Sequence, residues 1–335
     1  MEFETCHFLR RSWYNKHMKT KILQILMTHQ NEYISGEWIA QKLNVSRVSI
    51  SKHIKTLRKE GYEILSSTNK GYCLSDCNDI LNADLIQRQV DPFYHTISVV
   101  PSTTSTNDDL KAIANMQKEG YVLIANMQKK GRGRIGRSFY CESHKGIYLS
   151  LLLKPSFPLS YSLRLTACAA ISAIEAIQKE YDQKATIKWV NDILMEEKKV
   201  AGILCEASLE INSAALDYMV VGIGINVHPM NLPEELSDIA GSIEDFSKHR
   251  GNRNHLIIHF LNRFYYYYST IEDRTYLAPY RHYSSVIGEN ILVYERNTCL
   301  PAKAIAIDDE ARLVVAMEDG TQKVLSSGEI SIRKR

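Results

Sequence analysis

A ten-residue segment of the chain, residues 128–137, combines three glycines with five cationic side chains. It reads Gln128-Lys129-Lys130-Gly131-Arg132-Gly133-Arg134-Ile135-Gly136-Arg137. Glycines let a backbone fold closely over a ligand, and guanidinium groups pair with carboxylate and phosphate oxygens. The segment therefore predicts a flexible anion-binding loop in which a carboxylate can approach a phosphate. The alternatives are a solvated basic loop and a second contact to nucleic acid.

The three glycines of this loop also fit the G-x-G-x-x-G spacing of dinucleotide-binding turns. That motif needs a following helix whose N-terminus holds the pyrophosphate. Here the next predicted element is a strand at residues 146–153. The spacing therefore does not indicate a Rossmann nucleotide site.

Three other segments carry groups that suit a ligand. Lys188 lies between Ile187 and Trp189 in a predicted strand. A lysine there more often points away from the sheet, but it could also meet the same phosphate. Residues 104–107 supply hydroxyls and an amide for a polar ligand, and equally an N-cap for the helix that follows. The strand at residues 222–227 has two glycines that permit close approach to its backbone.

The order and spacing of these motifs resemble those of the biotin–protein ligases, in particular the bifunctional class in which a winged helix precedes the ligase. The matching positions are Ser105-Thr106-Asn107, Gln128 with Gly131-Arg132-Gly133-Arg134-x-Gly136-Arg137, Lys188-Trp189-x-Asn191-Asp192, Lys199-x-Ala201-Gly202-Ile203-Leu204, Gly224-Ile225-Asn226 and Ser327-Gly328-Glu329-Ile330-Ser331. The similarity extends over about residues 19–335. Two positions depart from the family pattern, because Phe139 replaces a usual tryptophan and Val190 a common proline.

The resemblance implies which residues contact each ligand. For biotin they are Ser105, Thr106, Asn107, Gln128, Gly131, Arg132, Gly133, Arg134 and Lys188. For ATP and the adenylate they are Arg132, Arg134, Arg137, Phe139, Lys188, Asn191 and Asn226. Lys188 and Arg134 would be the catalytic residues, and no side chain is expected to hold a metal. His255 and His259 have helical i,i+4 spacing but no third ligand, so a non-metal role is expected.

The resemblance also implies a reaction in two steps. Biotin and ATP, with Mg²⁺, would form biotinyl-5'-AMP, and a lysine of a biotin carboxyl carrier protein or another biotin-dependent carboxylase would then accept the biotin. The adenylate-bound chain would form a homodimer that binds operator DNA and represses biotin genes. The alternatives are a non-catalytic biotin-binding regulator and a ligase for lipoate or octanoate. The intact cations argue against the first, and the glycine–arginine loop favours biotin over the second.

The N-terminal segment predicts a helix-turn-helix. Ile22, Leu23, Leu26 and Met27 recur at helical spacing and indicate a first helix. Ser35 and Ser46 are placed to cap a second and a third helix. The short turn 43–45 between these two helices is typical of the motif.

The third helix and the segment after it predict a DNA-binding surface. Ile50, Ile54 and Leu57 form its apolar face. The residues predicted to meet DNA are Ser46, Arg47, Ser49, Ser51, Lys52, Lys55 and Arg58. Residues 62–65 and 72–74 flank a turn at 66–71 and indicate a two-stranded wing. A three-helix protein-interaction module is the alternative.

The charge distribution agrees with a polyanionic partner for the first segment. Residues 1–75 hold 12 Lys and Arg against 6 Asp and Glu, whereas the remainder holds 29 against 32. We predict a winged helix-turn-helix domain at 1–75, in which 1–17 has no recognised counterpart and Met18-Lys19 resembles a natural start. A linker with a short helix at 80–90 follows at 76–92.

Later elements predict two further domains. Strands at 146–153, 186–190, 202–205 and 219–227 and a helix at 160–180 lie in a block at 93–283. Five short strands follow within 284–335, at 291–294, 302–307, 313–317, 322–325 and 329–332, with turn signals at 308–310 and 319–320. They indicate a small SH3-like β-barrel. The resemblance implies that the whole chain is an α+β protein with a central class II synthetase-like α/β ligase domain.

Composition places the chain in the cytoplasm and away from membranes. Its seven cysteines are scattered, without a C-x-x-C pair, which fits reduced thiols. The first 14 residues lack the apolar core of a signal peptide, and no apolar run reaches the length of a membrane span. No side-chain triad for covalent catalysis is evident.

Overall fold

The computed structural model describes residues 18–29, 31–59, 61–75, 79–209, 216–295, 298–326 and 331–334. The chain divides into two compact units, Met1–Ile80 and Leu81–Arg335. The predicted extension at 1–17 lies outside the described residues.

In its described residues, the first unit contains three helices and a two-stranded sheet. Its elements are α1 (residues 18–28), α2 (Gly36–Leu43), α3 (Arg47–Lys59), β1 (Ile64–Ser67) and β2 (Gly71–Leu74). The two strands pair antiparallel, with Ile64 opposite Leu74 and Ser67 opposite Gly71. The predicted helix-turn-helix and wing are therefore confirmed. The first wing strand lies two residues later than the predicted 62–65, and the second begins one residue before the predicted 72–74, so only residues 68–70 remain for the turn.

Local hydrogen bonds set where the helices of the first unit begin and end. The Ser35 hydroxyl accepts from the Glu37 N–H at 3.3 Å, and the Ser46 hydroxyl accepts from the Ser49 N–H at 3.2 Å. Asn44 ends α2 in the left-handed conformation, at φ 53°, which asparagine tolerates better than most residues. These caps hold α2 and α3 at the short turn that the motif requires.

A seven-stranded sheet forms the centre of the second unit, in the order β3-β4-β5-β9-β8-β7-β6. Its strands are β3 (Thr96–Val100), β4 (Tyr121–Ala125), β5 (Gly146–Leu153), β6 (Thr186–Lys188), β7 (Asp192–Met195), β8 (Lys198–Leu209) and β9 (Leu216–Asn226). β3 and β4 pair in parallel, and the other neighbours pair antiparallel. The predicted bounds of β5 are confirmed. The predicted strand 186–190 ends two residues later than β6, and the predicted strand 202–205 is shorter than β8.

Helices cover both faces of this sheet. The connecting helices are α4 (Ala83–Gln87), α5 (Thr106–Ile113), α6 (Ser162–Tyr181), α7 (Glu234–Ser237), α8 (Ile243–Phe246), α9 (Arg253–Ser269) and α10 (Leu277–Tyr283). The long helices α6 and α9 pack together and form one large core with the sheet. The shorter α5 lies on the opposite face against β4, β5 and β9. That face is only partly covered, which leaves room for a ligand.

The C-terminal part of the second unit is an antiparallel sheet in the order β13-β12-β11-β10-β14. Its strands are β10 (Asn290–Glu295), β11 (Thr298–Ile307), β12 (Leu313–Met317), β13 (Gln322–Leu325) and β14 (Ser331–Lys334). Five strands were predicted here, and the bounds of β12 and β13 agree with the prediction. The predicted start of the last strand, residues 329 and 330, lies outside the described residues.

The predicted linker at 76–92 is only partly a connection. From Leu81 onward the chain belongs to the second unit, where Leu81 and Ile86 are buried in the main core. The helix predicted at 80–90 is observed as α4, which is shorter and spans Ala83–Gln87. Within the described ranges, no helix has the length and apolar character needed to cross a membrane.

Candidate active site

An open pocket lies on the α5 face of the seven-stranded sheet, beyond the N-terminal end of α5. Gly222 and Gly224 of β9 share this face with Gly202 and Leu204 of β8, which are their register partners. The predicted site residues that line the pocket are Ser105, Thr106, Asn107, Gln128, Arg132, Gly133, Arg134, Arg137, Phe139, Lys188 and Asn191. Motifs that are up to 119 residues apart in sequence thus meet in one pocket.

A hydrogen-bonded polar cluster stands at the start of α5. The Thr106 N–H and hydroxyl both donate to Gln128 Oε1, at 2.8 and 3.0 Å. The buried Ser150 hydroxyl lies 2.7 Å from Thr106 Oγ1 and 2.5 Å from Asn107 Oδ1. Ser105 caps the helix by accepting from the Asp108 N–H. Fixed donors and acceptors of this kind can orient a polar, uncharged ligand group.

The glycine–arginine loop folds back on itself as a hairpin. The Phe139 N–H donates to Gly131 O at 2.9 Å, and the Gly133 N–H donates to Arg137 O at 2.7 Å. Ile135 at the tip is exposed and has φ 54°. A Cβ on Gly131 would lie 2.4 Å from Phe139 O, so this glycine is needed for the close approach of the two hairpin arms. Gly131 is buried and lies outside the pocket lining.

Arg132 is paired with acidic groups of α5 and β8. Its guanidinium contacts Asp108 Oδ1 at 2.5 Å and Glu206 Oε1 at 3.5 Å, and Lys111 lies 2.8 and 2.9 Å from the same two atoms. Burial raises the pKa of Asp108, but hydrogen bonds and charges from Lys111 and Arg132 outweigh it and lower the pKa below its ordinary value. Asn107 joins the cluster by donating to Glu206 at 2.8 Å. This network connects the loop to the polar cluster of α5.

Arg134 points to the opposite end of the pocket, where β6 turns into β7. Its guanidinium donates to Asn191 Oδ1 at 3.0 Å. Burial lowers the pKa of this guanidinium, and the nearby carboxylate of Asp192 opposes that shift. Lys188 is half-buried at the end of β6, opposite Asp192 in the sheet register. The loop arginine and the strand lysine thus place positive charge at one end of the pocket.

An aromatic ring and a further ion pair form the pocket floor. A Cβ on Gly224 would lie 2.6 Å from the ring of Phe139, so the bare backbone of β9 makes room for that ring. The Lys199 ammonium lies 2.6 Å from Asp192 Oδ1 and 5.9 Å from the centre of the Phe139 ring. This flat apolar surface near the Lys199 ammonium suits a planar heterocycle joined to a phosphate.

Asn226 lies outside the pocket lining. It is buried, and its side-chain amide donates to Gly241 O at 3.0 Å. Its Oδ1 atom has no hydrogen-bond partner among the described residues. His255 and His259 both lie beside Glu180, at 3.7 and 3.9 Å. The described parts of the chain hold no group of three or more His, Cys, Asp or Glu side chains that could bind a metal.

Comparisons with known proteins agree with both units. One matching family model, described as an HTH domain, covers residues 19–73, and a second, described as the Biotin/lipoate A/B protein ligase family, covers residues 97–226. The Bifunctional ligase/repressor BirA of Bacillus subtilis (strain 168) is 32% identical over 322 residues, or 92% of this chain and 97% of that relative. The chain belongs to the bifunctional ligase/repressor family.

Other relatives and solved structures support this membership. The Bifunctional ligase/repressor BirA of Escherichia coli (strain K12) is 32% identical over 212 residues, or 63% of this chain and 65% of that relative. The biotin protein ligase from Aquifex aeolicus, solved in complex with biotin and ATP, has a TM-score of 0.62 and 27% identity, covering 71% of this chain and 99% of that chain. The resemblance predicted from the motifs is therefore confirmed.

The surface that this ligase/repressor chain presents on α3 carries the predicted DNA contacts. Ser46, Arg47, Lys52, Lys55 and Arg58 are exposed. Ser49 and Ser51 are half-buried. A groove between α3 and the wing is lined by basic side chains, namely those of Arg47, Lys55, Arg58 and Lys70. The Arg58 guanidinium also donates to Ile64 O at 2.8 Å, which ties the end of α3 to the wing.

Sequence reasoning missed several polar residues of the site in this family member. Lys199 and Asp192 belong to the motifs of the resemblance, but their spacing in sequence gives no sign that their side chains pair. Glu206 and Lys111 belong to none of these motifs. Their contribution depends on the approach of α5 to β8, whose contacting residues are 95 positions apart. Only the tertiary structure could show them.

Proposed function

We propose that the chain is an ATP-dependent biotin–protein ligase of the EC 6.3.4.15 type and a biotin-dependent transcriptional repressor. The observation that carries this proposal is that Arg134 of the arginine loop and Lys188 lie at one end of a pocket whose other end is a polar cluster. The polar end suits a ureido group, and the cationic end suits a carboxylate together with an α-phosphate. Such a pocket can bring two anions together.

In the first step, an oxygen of the biotin carboxylate attacks the α-phosphorus of ATP. The bond between this phosphorus and the bridging oxygen breaks, and pyrophosphate leaves. Negative charge accumulates on the phosphorus oxygens during the attack, and preorganised cations stabilise it. We assign this role to Lys188 and Arg134, with Arg132 and Arg137 around the substrates. Catalysis is electrostatic, so the enzyme needs no covalent intermediate.

In the second step, the ε-amine of a carrier lysine attacks the acyl carbon of biotinyl-5'-AMP. The bond to the AMP oxygen breaks, an amide forms, and the amine proton goes to solvent. The adenylate already has a good leaving group, so a cysteine nucleophile is unnecessary. Burial raises the pKa of Cys141 beside the pocket to about 11, which keeps this thiol protonated at neutral pH.

The other predicted residues that line the pocket divide between its two ends. We assign biotin binding to Ser105, Thr106, Asn107, Gln128 and Gly133, together with Arg132, Arg134 and Lys188. Gly131 would act from outside the lining, by letting the two arms of the hairpin approach each other. We assign binding of ATP and the adenylate to Phe139, Asn191 and Asn226. The four cationic residues Arg132, Arg134, Arg137 and Lys188 complete this set. Asn226 would act from outside the lining, through the backbone that it holds. ATP would bind as its Mg²⁺ complex, since Mg²⁺ is commonly held by nucleotide phosphates.

The adenylate would also be the regulatory signal. We propose that its presence favours a homodimer, which presents two winged helices to two half-sites of an operator. When the acceptor, a biotin carboxyl carrier protein or another biotin-dependent carboxylase, is scarce, the adenylate persists and biotin genes are repressed. In this proposal the DNA-binding domain is 1–75, the linker is shortened from the predicted 76–92 to 76–80, the class II synthetase-like ligase domain is 81–283 and an SH3-like barrel is 284–335. A cytoplasmic location follows from these partners.

Transfer to a carrier domain tests the enzyme. We expect the purified chain with MgATP to attach labelled biotin, and not labelled lipoate, to the lysine of a biotin carboxyl carrier domain. A carrier whose target lysine is replaced by arginine is the control. Labelling with lipoate alone would indicate the related lipoate ligase activity. If neither acid labels the carrier, the chain is not a ligase, and the alternative of a non-catalytic biotin-binding regulator is favoured.

The α3 surface gives a prediction for DNA binding. Lys52→Ala with Lys55→Ala is expected to weaken binding and to lower the salt slope by about 2 log units of affinity per log unit of salt, because two phosphate contacts are lost. Lys248→Ala with Lys303→Ala removes the same charge from the second unit and is the matched control. Titration of operator DNA at several salt concentrations, with biotin and ATP present, measures the slope. If both double variants show the same dependence of DNA affinity on salt, DNA binds to a surface other than that of α3.

A further inference from the structure

The turn between β11 and β12 of the C-terminal sheet reaches the strand end that carries Lys188. The Trp189 indole N–H donates to Ala311 O at 3.0 Å, and this hydrogen bond is buried. Trp189 is only 5% exposed, yet it also lines the active-site pocket. One side chain therefore connects the turn 308–312 with the residue next to the proposed catalytic lysine.

The strand end needs such support because β6 is short and lies at the edge of the sheet. It has three residues and pairs only with β7 in the described sheet order. On its outer side, Ile187 O accepts from the Ser285 N–H at 2.8 Å. Beyond the strand, Val190 O accepts from the Tyr280 hydroxyl at 2.9 Å. Contacts from the C-terminal half of the unit thus determine where residues 188–190 lie.

The conformation of the turn directs the Ala311 carbonyl toward Trp189. Ala311 has φ 60°, in the left-handed region that is unfavourable for alanine. Asp308 holds it there, because its Oδ1 atom accepts from the N–H groups of Glu310 and Arg312, each at 2.9 Å. Its Oδ2 atom accepts from Arg312 Nε at 2.7 Å. This carboxylate maintains the unfavourable backbone angle together with two backbone hydrogen bonds of the turn, from the Ala311 N–H to Asp308 O at 3.1 Å and from the Asp308 N–H to Arg312 O at 2.9 Å.

Three arginines, from α6, from α10 and from the segment between α9 and α10, fix this turn to the ligase fold. The buried Arg164 of α6 donates to both carboxylate oxygens of Glu310, at 2.7 to 2.9 Å. Arg274 donates to Glu310 at 3.1 Å, and Arg281 donates to Ile307 O at 2.8 Å. Charge-assisted and bidentate hydrogen bonds are the most directional in proteins. The turn is thus a rigid support and not a loose surface loop.

We propose that the turn 308–312 is a positioning element for the adenylation step. It holds the Trp189 indole, and through the adjoining backbone it keeps the Lys188 ammonium where charge develops on the α-phosphate. Asp308 and Ala311 are positioning residues that do not touch the substrates. The proposal rests on the proposed ligase activity. It also gives the C-terminal sheet a part in the chemistry.

Asp308→Ala and Asp308→Asn separate this role from general stability. The amide oxygen of asparagine can still accept from both backbone N–H groups, whereas alanine cannot. We expect Asp308→Ala to slow single-turnover formation of biotinyl-5'-AMP about ten- to a hundredfold, the effect of a small misplacement of a catalytic group. Asp308→Asn is expected to retain most of the wild-type rate. The Kd for biotin should rise much less than the rate falls, by no more than about threefold, because Lys188 is only one of the residues assigned to biotin and other elements hold the polar cluster of α5.

A double-mutant cycle with Trp189→Phe identifies the path of the effect. Phenylalanine keeps an aromatic ring but cannot donate to Ala311 O. We expect Trp189→Phe to slow adenylation by a similar factor, and Asp308→Ala to add less than about threefold in that background. Thermal unfolding of each variant measures folding separately from the rate.

Three results would overturn the positioning role. They are an unchanged adenylation rate in Asp308→Ala, an equal loss of rate and biotin affinity, and fully additive effects of the two substitutions. If Asp308→Ala fails to fold, Trp189→Phe with normal stability and a normal rate overturns it as well. Wild-type protein that forms no adenylate would instead remove the proposed ligase function, so the two failures are distinguishable.

Discussion

Lys188→Ala is expected to lower the rate of biotinyl-5'-AMP formation about a hundred- to a thousandfold while the chain remains folded. The loss of one preorganised donor to a developing oxyanion has this magnitude. Lys188 ends β6 inside the pocket, on the same side as Arg134 and the Asn191 amide. Lys199, another strand lysine that lines the pocket, is paired with Asp192, so we do not expect it to replace the lost ammonium.

Two matched variants sharpen this prediction. Lys184 is exposed and precedes the same strand, so Lys184→Ala removes an equal charge without changing the pocket and should leave the rate unchanged. Lys188→Arg keeps the charge but replaces a compact ammonium by a planar fork, and we expect it to recover only part of the activity. Single-turnover adenylation, with thermal unfolding as the folding control, measures all three variants. A normal rate for Lys188→Ala would disprove the assigned role.

Gly222→Ala is expected to weaken biotin binding by about 2 kcal/mol, or roughly thirtyfold in Kd, the range for a disrupted buried polar group. A Cβ at this position would lie 2.2 Å from Asn107 Oδ1, far inside van der Waals contact. Asn107 is 5% exposed and bound to Ser150 and Glu206, so it cannot move aside without losing those hydrogen bonds. The bare backbone of β9 is therefore part of the ligand site.

The pair of residues provides an internal control. Asn107→Ala removes the obstructing amide, and we expect Gly222→Ala to cost less than about threefold in biotin affinity in that background. Calorimetric titration of biotin into the four proteins of the cycle measures the coupling. Equal costs of Gly222→Ala in both backgrounds would mean that Asn107 does not transmit the effect.

Much of the fold and part of the site could be predicted from the sequence because their signals are local. The caps Ser35 and Ser46, the strand β5 and the turn before β12 each depend on neighbouring residues. The arginine loop and Lys188 were recognised from motif spacing. The pocket that brings them together was not derivable from spacing alone, since it depends on which face of the sheet each strand presents.

Long-range pairing explains what could not be predicted. Lys111 and Glu206 become neighbours only when α5 packs against β8. The left-handed Ala311 reads as an ordinary turn residue, and only the folded chain brings its carbonyl to Trp189, which is 122 positions away. Asn226 was assigned to the adenine from the motif, whereas its side chain bonds to Gly241 O.

Release of pyrophosphate by the purified chain tests the central claim most directly, because it reports the attack of one anion on the other without carrier or DNA. With biotin and MgATP, we predict a rapid release of one equivalent per chain, followed by slow turnover while the adenylate stays bound. Omission of biotin should abolish the burst. If biotin and ATP both bind but no pyrophosphate appears, the cations around this pocket do not perform the proposed chemistry.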